Sequence, residues 1–122
     1  MREGRVLLTG DAAHITNPTG GLGLTSGLFD LYVLYEALAA VIRRDADDAV
    51  LDLWATERLK TFKDIASPAA CEFKRLVYSS TEPQRLEGDL QGLRAVAADP
   101  ALQRQAFGVA RGLQTASVLG RS

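Results

Sequence analysis

Apolar positions bunch at Val6-Leu7-Leu8, thin out through a glycine-rich stretch, and return at helical spacing from Leu24 onward. The run Val6-Leu7-Leu8 is continuous rather than alternating, which suits a strand buried on both faces in a sheet covered by helices. It predicts one β-strand from Arg5 to Thr9. Gly10 to Gly23 carries four glycines and Pro18 and reads as a structured loop. Leu24, Leu28, Leu31, Tyr35, Leu38 and Ile42 then recur close to a 3.6-residue period and predict a long helix with that stripe as its apolar face. Phe29, Tyr32, Leu34 and Val41 lie off the stripe, so the helix calls for neighbours on more than one side. Arg43-Arg44 complement its C-terminal dipole.

Asp45 to Asp48 break the pattern and offer caps for a second helix, Ala49 to Ala66, with Leu51, Trp54, Ala55, Phe62 and Ile65 on one face. Ser67-Pro68 punctuates it, and a third helix is predicted over Ala69 to Tyr78. Thr81 caps a fourth, with Pro83 in its first turn and Leu86, Leu90, Leu93 and Ala97 as its stripe. Asp99-Pro100 repeats the start signal for a last helix to about Leu113, and the final residues look frayed. The expected fold is therefore mainly α with one short N-terminal strand. A lone apolar strand leaves backbone groups unpaired. It calls for pairing with a second copy of the chain or with a sheet in polypeptide outside these 122 residues.

Composition narrows the picture. A chain of 122 residues suits one modest domain that buries roughly 65% of its unfolded surface. The net charge of −1 carries no basic excess that would point to nucleic acid or an anionic membrane. Cys71, the single cysteine, excludes an internal disulfide and leaves no metal-ligand cluster. No signal peptide is read at the N-terminus. No uninterrupted apolar run approaches 18 residues, so no membrane span is expected. These features suit a soluble cytoplasmic protein.

The order strand, Gly10-Asp11, Ala-Ala-His, Pro18, Gly20-Gly21-x-Gly23, helix, in "GRVLLTGDAAHITNPTGGLGLTSGLFD", resembles the C-terminal flavin-binding segment of the FAD-dependent aromatic hydroxylases, the flavoprotein monooxygenases related to p-hydroxybenzoate hydroxylase. The later "LWATERLKTF" looks like that family's helix with a Glu-Arg pair, here Glu57-Arg58. The resemblance is dense over residues 4–66. It implies that residues 1–66 are the C-terminal part of a Rossmann-like FAD-binding domain and that 67–122 form a helical extension packed on it. It also implies an N-terminal half with a Gly-x-Gly-x-x-Gly turn for the ADP moiety and a middle substrate sheet. Neither occurs in this sequence, and the loop from Gly10 is too long to be that turn.

The resemblance implies FAD as cofactor, contacted by Gly10, Asp11, Pro18, Gly20, Gly21, Leu22, Gly23, Leu24 and Thr25. A carboxylate at a strand end, Asp11, can accept hydrogen bonds from ribityl or sugar hydroxyls. Glycines 20, 21 and 23 permit close backbone approach to a flat ring. The helix starting near Leu24 would aim its N-terminal N–H groups at the pyrimidine edge of the flavin. In the family the proline matching Pro18 lies beside the ring. The chain departs from the family at Leu22, where a glutamine is common, and at Thr25, where an asparagine is common. Thr25 offers one hydroxyl in place of an amide pair.

Other residues read more plainly. His14 is expected to make a loop-fixing hydrogen bond rather than to serve as a general base. Trp54 is core material, Glu57-Arg58 a structural ion pair or cap, and Cys71 an ordinary small residue. No side chain is a strong catalytic acid or base, and no metal site is expected. The implied function is the C-terminal portion of an NAD(P)H- and O₂-dependent monooxygenase acting on an aromatic or polyketide-like small molecule, inactive as this chain alone. A non-enzymatic interaction module, self-associating or bound to a partner, and one half of a split flavoenzyme are the alternatives.

Overall fold

The computed structural model describes residues 1–120. The described chain is mostly helical, as the periodicity predicts, but its N-terminus is not a lone strand. Strand β1 (Arg2–Glu3) pairs antiparallel with β2 (Val6–Leu7), in the register Arg2 opposite Leu7 and Glu3 opposite Val6. Gly4, at φ 55°, makes the tight turn between them, and Leu8 N–H donates to Met1 O at 2.9 Å. The residues before Val6 thus fold back and supply the missing partner. The expectation of one unpaired strand over Arg5 to Thr9 is corrected to a two-residue hairpin. Val6 and Leu8 remain exposed, so the hairpin covers only part of this apolar run. Arg2 fixes the hairpin to the next helical layer through Asp48 at 2.6 Å and Asp52 at 2.9 Å.

Two short 3₁₀ turns, Gly10–Ala12 and Pro18–Gly20, lead into α1 (Leu22–Arg43). Gly21, at φ 64°, sets the entry angle. The helix begins two residues before Leu24. Its buried face is Leu22, Ser26, Asp30, Val33, Leu34, Ala37 and Ala40. The apolar stripe read from the sequence lies mostly outside: Leu24, Leu28, Leu31, Tyr35 and Ile42 are exposed, and Leu38 is half-buried against the core. The period was legible, but the covered face is a different one, in which Ser26, Ala37 and Ala40 are mixed with Leu22, Val33 and Leu34. By length and composition α1 could cross a membrane. Here it packs as a core helix, with a fully buried Asp30 ion-paired to Arg58.

Helix α2 (Ala49–Thr61) runs through a π-helical turn, Phe62–Ala66, straight into α3 (Ser67–Tyr78). The expected break at Ser67-Pro68 is absent. Pro68 occupies the first turn of α3, where its missing N–H costs least, and the wide turn precedes it. Helices α4 (Pro83–Ala98), α5 (Pro100–Ala106) and α6 (Val109–Gly112) follow. The single last helix expected to Leu113 is therefore two short ones. None of the three contains a buried residue. The start of α5 is capped as Asp99-Pro100 predicts, with Ala101 N–H donating to Asp99 Oδ1 at 2.7 Å.

The core has two parts. Val33, Leu34, Ala37, Leu51, Trp54 and Ala55 close around Val118; Leu22, Phe62, Ala66 and Ala70 close around Leu113. Leu113 closes the stretch expected to be the last helix, and Val118 comes from the residues beyond it that were expected to fray. Their burial ties residues 113–118 across the α1–α2 pair.

Candidate functional site

The loop between β2 and α1 rests on α1 through glycine packing and one buried carboxylate. A Cβ placed on Gly27 would lie 3.1 Å from Gly10 Cα, against backbone that cannot move aside. This pair of glycines therefore permits the Gly10–Asp11 turn to lie on the helix. One turn further along α1, Asp30 Oδ2 accepts from Gly10 N–H at 3.3 Å and sits 2.7 Å from His14 Nε2. Asp30 Oδ1 accepts from Arg58 Nε at 2.8 Å. The backbone carbonyl of Asp30 accepts from Trp54 Nε1 at 3.0 Å.

Arg58 is itself anchored. Its guanidinium donates to Leu113 O at 2.7 Å, to Thr115 Oγ1 at 3.2 Å and to Ser26 O at 3.4 Å. A buried ion pair gains little unless its remaining donors are satisfied; here three further oxygens satisfy them. His14 stacks on Phe62 of the π turn, with ring centroids 4.0 Å apart. Its Nδ1, like Ser26 Oγ, is buried with no partner among the described residues.

Outside this buried network lies a groove of about 290 Å³, lined by Thr9, Gly10, Asp11, Gly23, Leu24, Gly27, Leu28 and Leu31. Asp11 is exposed on it. Gly23 keeps the floor open: a Cβ there would sit 3.9 Å from Asp11 Oδ1 and 3.4 Å from Thr16 Cγ2. One end of the groove is thus a carboxylate beside the first turn of a helix. Its wall is the exposed leucine stripe of α1. A carboxylate that accepts from hydroxyls, a helix N-terminus and a flat apolar wall suit a ligand with a polyol and a planar ring.

Of the residues predicted to contact the cofactor, Gly10, Asp11, Gly23 and Leu24 meet in this groove. The others lie outside its lining. Leu22 turns its side chain into the core, at 5% exposure. Gly20 faces α3, where a Cβ would strike the Phe73 ring at 2.5 Å. Gly21 has left-handed φ, and its carbonyl accepts from Thr25 Oγ1 at 3.3 Å. The one hydroxyl donor of Thr25 is therefore turned back onto its own helix. Pro18 opens the second 3₁₀ turn, held by Thr19 N–H donating to Asn17 Oδ1 at 3.1 Å. Asn17 in turn donates to Ala70 O at 3.0 Å. His14 makes the loop-fixing contact expected of it. The expectation for Glu57-Arg58 was a structural ion pair or cap; the ion pair that Arg58 makes is with Asp30. Asp30 itself was missed; a carboxylate set among apolar residues of the helix, with an arginine on the following helix, was the available signal. Among the described residues no group of three or more His, Cys, Asp or Glu side chains could hold a metal ion.

Known proteins share much of this sequence. The family model described as an FAD binding domain matches residues 1–69. The chain is 38% identical, over 88% of its length, to 6-hydroxy-3-succinoylpyridine 3-monooxygenase of Pseudomonas putida. It is 42% identical, over 86% of its length, to para-nitrophenol 4-monooxygenase of Pseudomonas sp. (strain WBC-3). It spans 27% and 26% of those two proteins. A 3-(3-hydroxy-phenyl)propionate/3-hydroxycinnamic acid hydroxylase of Mycolicibacterium smegmatis is 49% identical over 49% of the chain and 11% of its own length.

Proposed function

The chain belongs to the FAD-binding domain family of the flavoprotein aromatic hydroxylases and monooxygenases, and from that membership we propose that it forms the flavin-facing wall of an FAD-dependent monooxygenase. The observation that carries the reading is the groove in which Asp11, Gly10 and Gly23 meet the first turn and exposed leucine wall of α1. Asp11 would hold the ribityl or sugar hydroxyls of FAD. The backbone of Gly23 and Leu24 would face the pyrimidine edge, where the positive helix end favours the charge of the reduced ring. Leu24, Leu28 and Leu31 would supply apolar contact along α1. When bound, FAD supplies the redox chemistry by which a reduced nicotinamide and O₂ hydroxylate an aromatic or polyketide-like molecule.

No side chain in the groove is proposed as catalytic acid or base, and the role of the chain is to bind and orient the cofactor. The groove is open along the leucine wall, and that apolar face would be covered by the remainder of a Rossmann-like flavin domain. FAD in such a domain depends on a Gly-rich turn for its pyrophosphate, which the groove does not offer. The 122-residue chain by itself is therefore expected neither to retain FAD nor to hydroxylate. Nucleic acid and membrane have no part in this reading.

The test is a chimaera in which this chain replaces the matching segment of para-nitrophenol 4-monooxygenase. Asp11→Ala removes a charge-assisted acceptor worth ~1.5–3 kcal/mol and should weaken FAD binding roughly 10- to 150-fold. Equal FAD affinity in the two proteins would refute the assignment of Asp11 and of the groove.

A further inference from the structure

The Asp30 carboxylate has three donors, and two of them, Gly10 N–H and His14 Nε2, belong to the loop that carries Asp11. The third, Arg58, fastens the same carboxylate to α2 and, through Leu113 O and Thr115 Oγ1, to the C-terminal segment. Asp30 is 0% exposed, so this point is screened from water and rigidly packed. Asp11 follows Gly10 directly in the chain, and no hydrogen bond from a described residue holds its own side chain.

We propose that Asp30 is the positioning residue of the cofactor loop. It acts through Gly10 and His14 to fix where the Asp11 carboxylate stands relative to the first turn of α1. His14 serves in this unit as a hydrogen-bond donor. Buried and covered on one face by Phe62, it is sealed from the groove and in no position to exchange a proton with a substrate. The cofactor part of this assignment rests on the flavin reading of the groove; the loop-ordering part does not. Arg58 compensates the buried charge, so the order of the loop depends on a network that reaches residues 113–115, far along the chain from the groove.

The test separates hydrogen bonding from ring packing. His14→Phe keeps an aromatic ring over Phe62 and removes the donor. His14→Gln removes the ring and keeps an N–H donor at similar reach. Native-state amide exchange at Gly10 and Ala13, read against global unfolding in the 122-residue chain, should speed up about tenfold or more in His14→Phe and stay within about threefold of the parent in His14→Gln. Asp30→Asn should loosen the same amides; if it does not fold, the His14 pair still decides. The reverse order, with Phe protecting and Gln not, or unchanged exchange in both variants, overturns the proposal.

FAD affinity of the same variants in the chimaera gives the second readout. If exchange follows the predicted order but no form binds FAD, the flavin reading falls and the loop-positioning role of Asp30 stands. If FAD binds and depends on Asp11 while His14→Phe leaves exchange and affinity unchanged, the positioning role falls and the flavin reading stands.

Discussion

Arg58 and Asp30 show what a single residue decides in this chain. Both are essentially unexposed, and each is compensated by the other at 2.8 Å. Arg58→Leu would leave Asp30 as a buried carboxylate deprived of its cationic partner. Breaking one side of such a pair costs ~3–5 kcal/mol, a large part of the ~5–15 kcal/mol that holds a domain together. Urea unfolding followed by Trp54 fluorescence should show a loss of that size, whereas Lys63→Leu, at an exposed site on the π turn, should change little. The residue chemistry of the groove was partly legible beforehand. Asp11 after Gly10, and the glycines that follow, announce a close-approach loop. The use of Leu22 and Gly20 for packing was not legible, because it depends on α3, about fifty residues away, folding back onto the second 3₁₀ turn. Asp30 was hidden for the same reason: its partners at 10, 14 and 58 become neighbours only in three dimensions.

At the scale of elements, α4 is joined to α3 by charge rather than by a buried apolar face. Arg75 grips Asp89 with two hydrogen bonds, at 2.9 and 3.0 Å, and Glu72 with two more, at 2.6 and 2.8 Å. Ser80 also donates to Asp89. The guanidinium first, and the hydroxyl next, hold the Asp89 carboxyl down to about 2 from an ordinary 3.8. Its folded-state value is depressed, so its contribution is present above the ordinary value and is lost as pH falls from there toward about 2. Helix α4 should therefore loosen from α3 in that window. Circular dichroism at 222 nm between pH 5 and 2 should show the step, and Arg75→Gln should remove it. An identical acid profile in the variant would show that the cluster does not secure α4. Helix starts such as Asp99-Pro100 were legible because capping is local chemistry. The hairpin was not, because it needed Gly4 to turn residues 2–3 back onto 6–7. The inward face of α1 was not either, because periodicity marks a stripe without saying which stripe is covered.

The whole molecule presents its most apolar stripe to the outside. Leu24 at 76%, Tyr35 at 74% and Ile42 at 77% exposure lie along α1, Leu24 within the groove, while the polar Asp30 is sealed within. On the proposed reading, this face would be one wall of a flavin site whose other walls come from further polypeptide. Contacts from Asp11 and a few backbone groups net only ~0.5–1.5 kcal/mol each, against ~4–15 kcal/mol to immobilise a cofactor. The most direct measurement is an FAD titration, followed by flavin fluorescence, run in parallel on the isolated chain and on the chimaera with para-nitrophenol 4-monooxygenase. The account predicts no saturable quenching at or below about a micromolar for the chain alone and saturable, stoichiometric binding by the chimaera. Tight binding by the chain alone, or a folded chimaera that takes up no FAD, would contradict it.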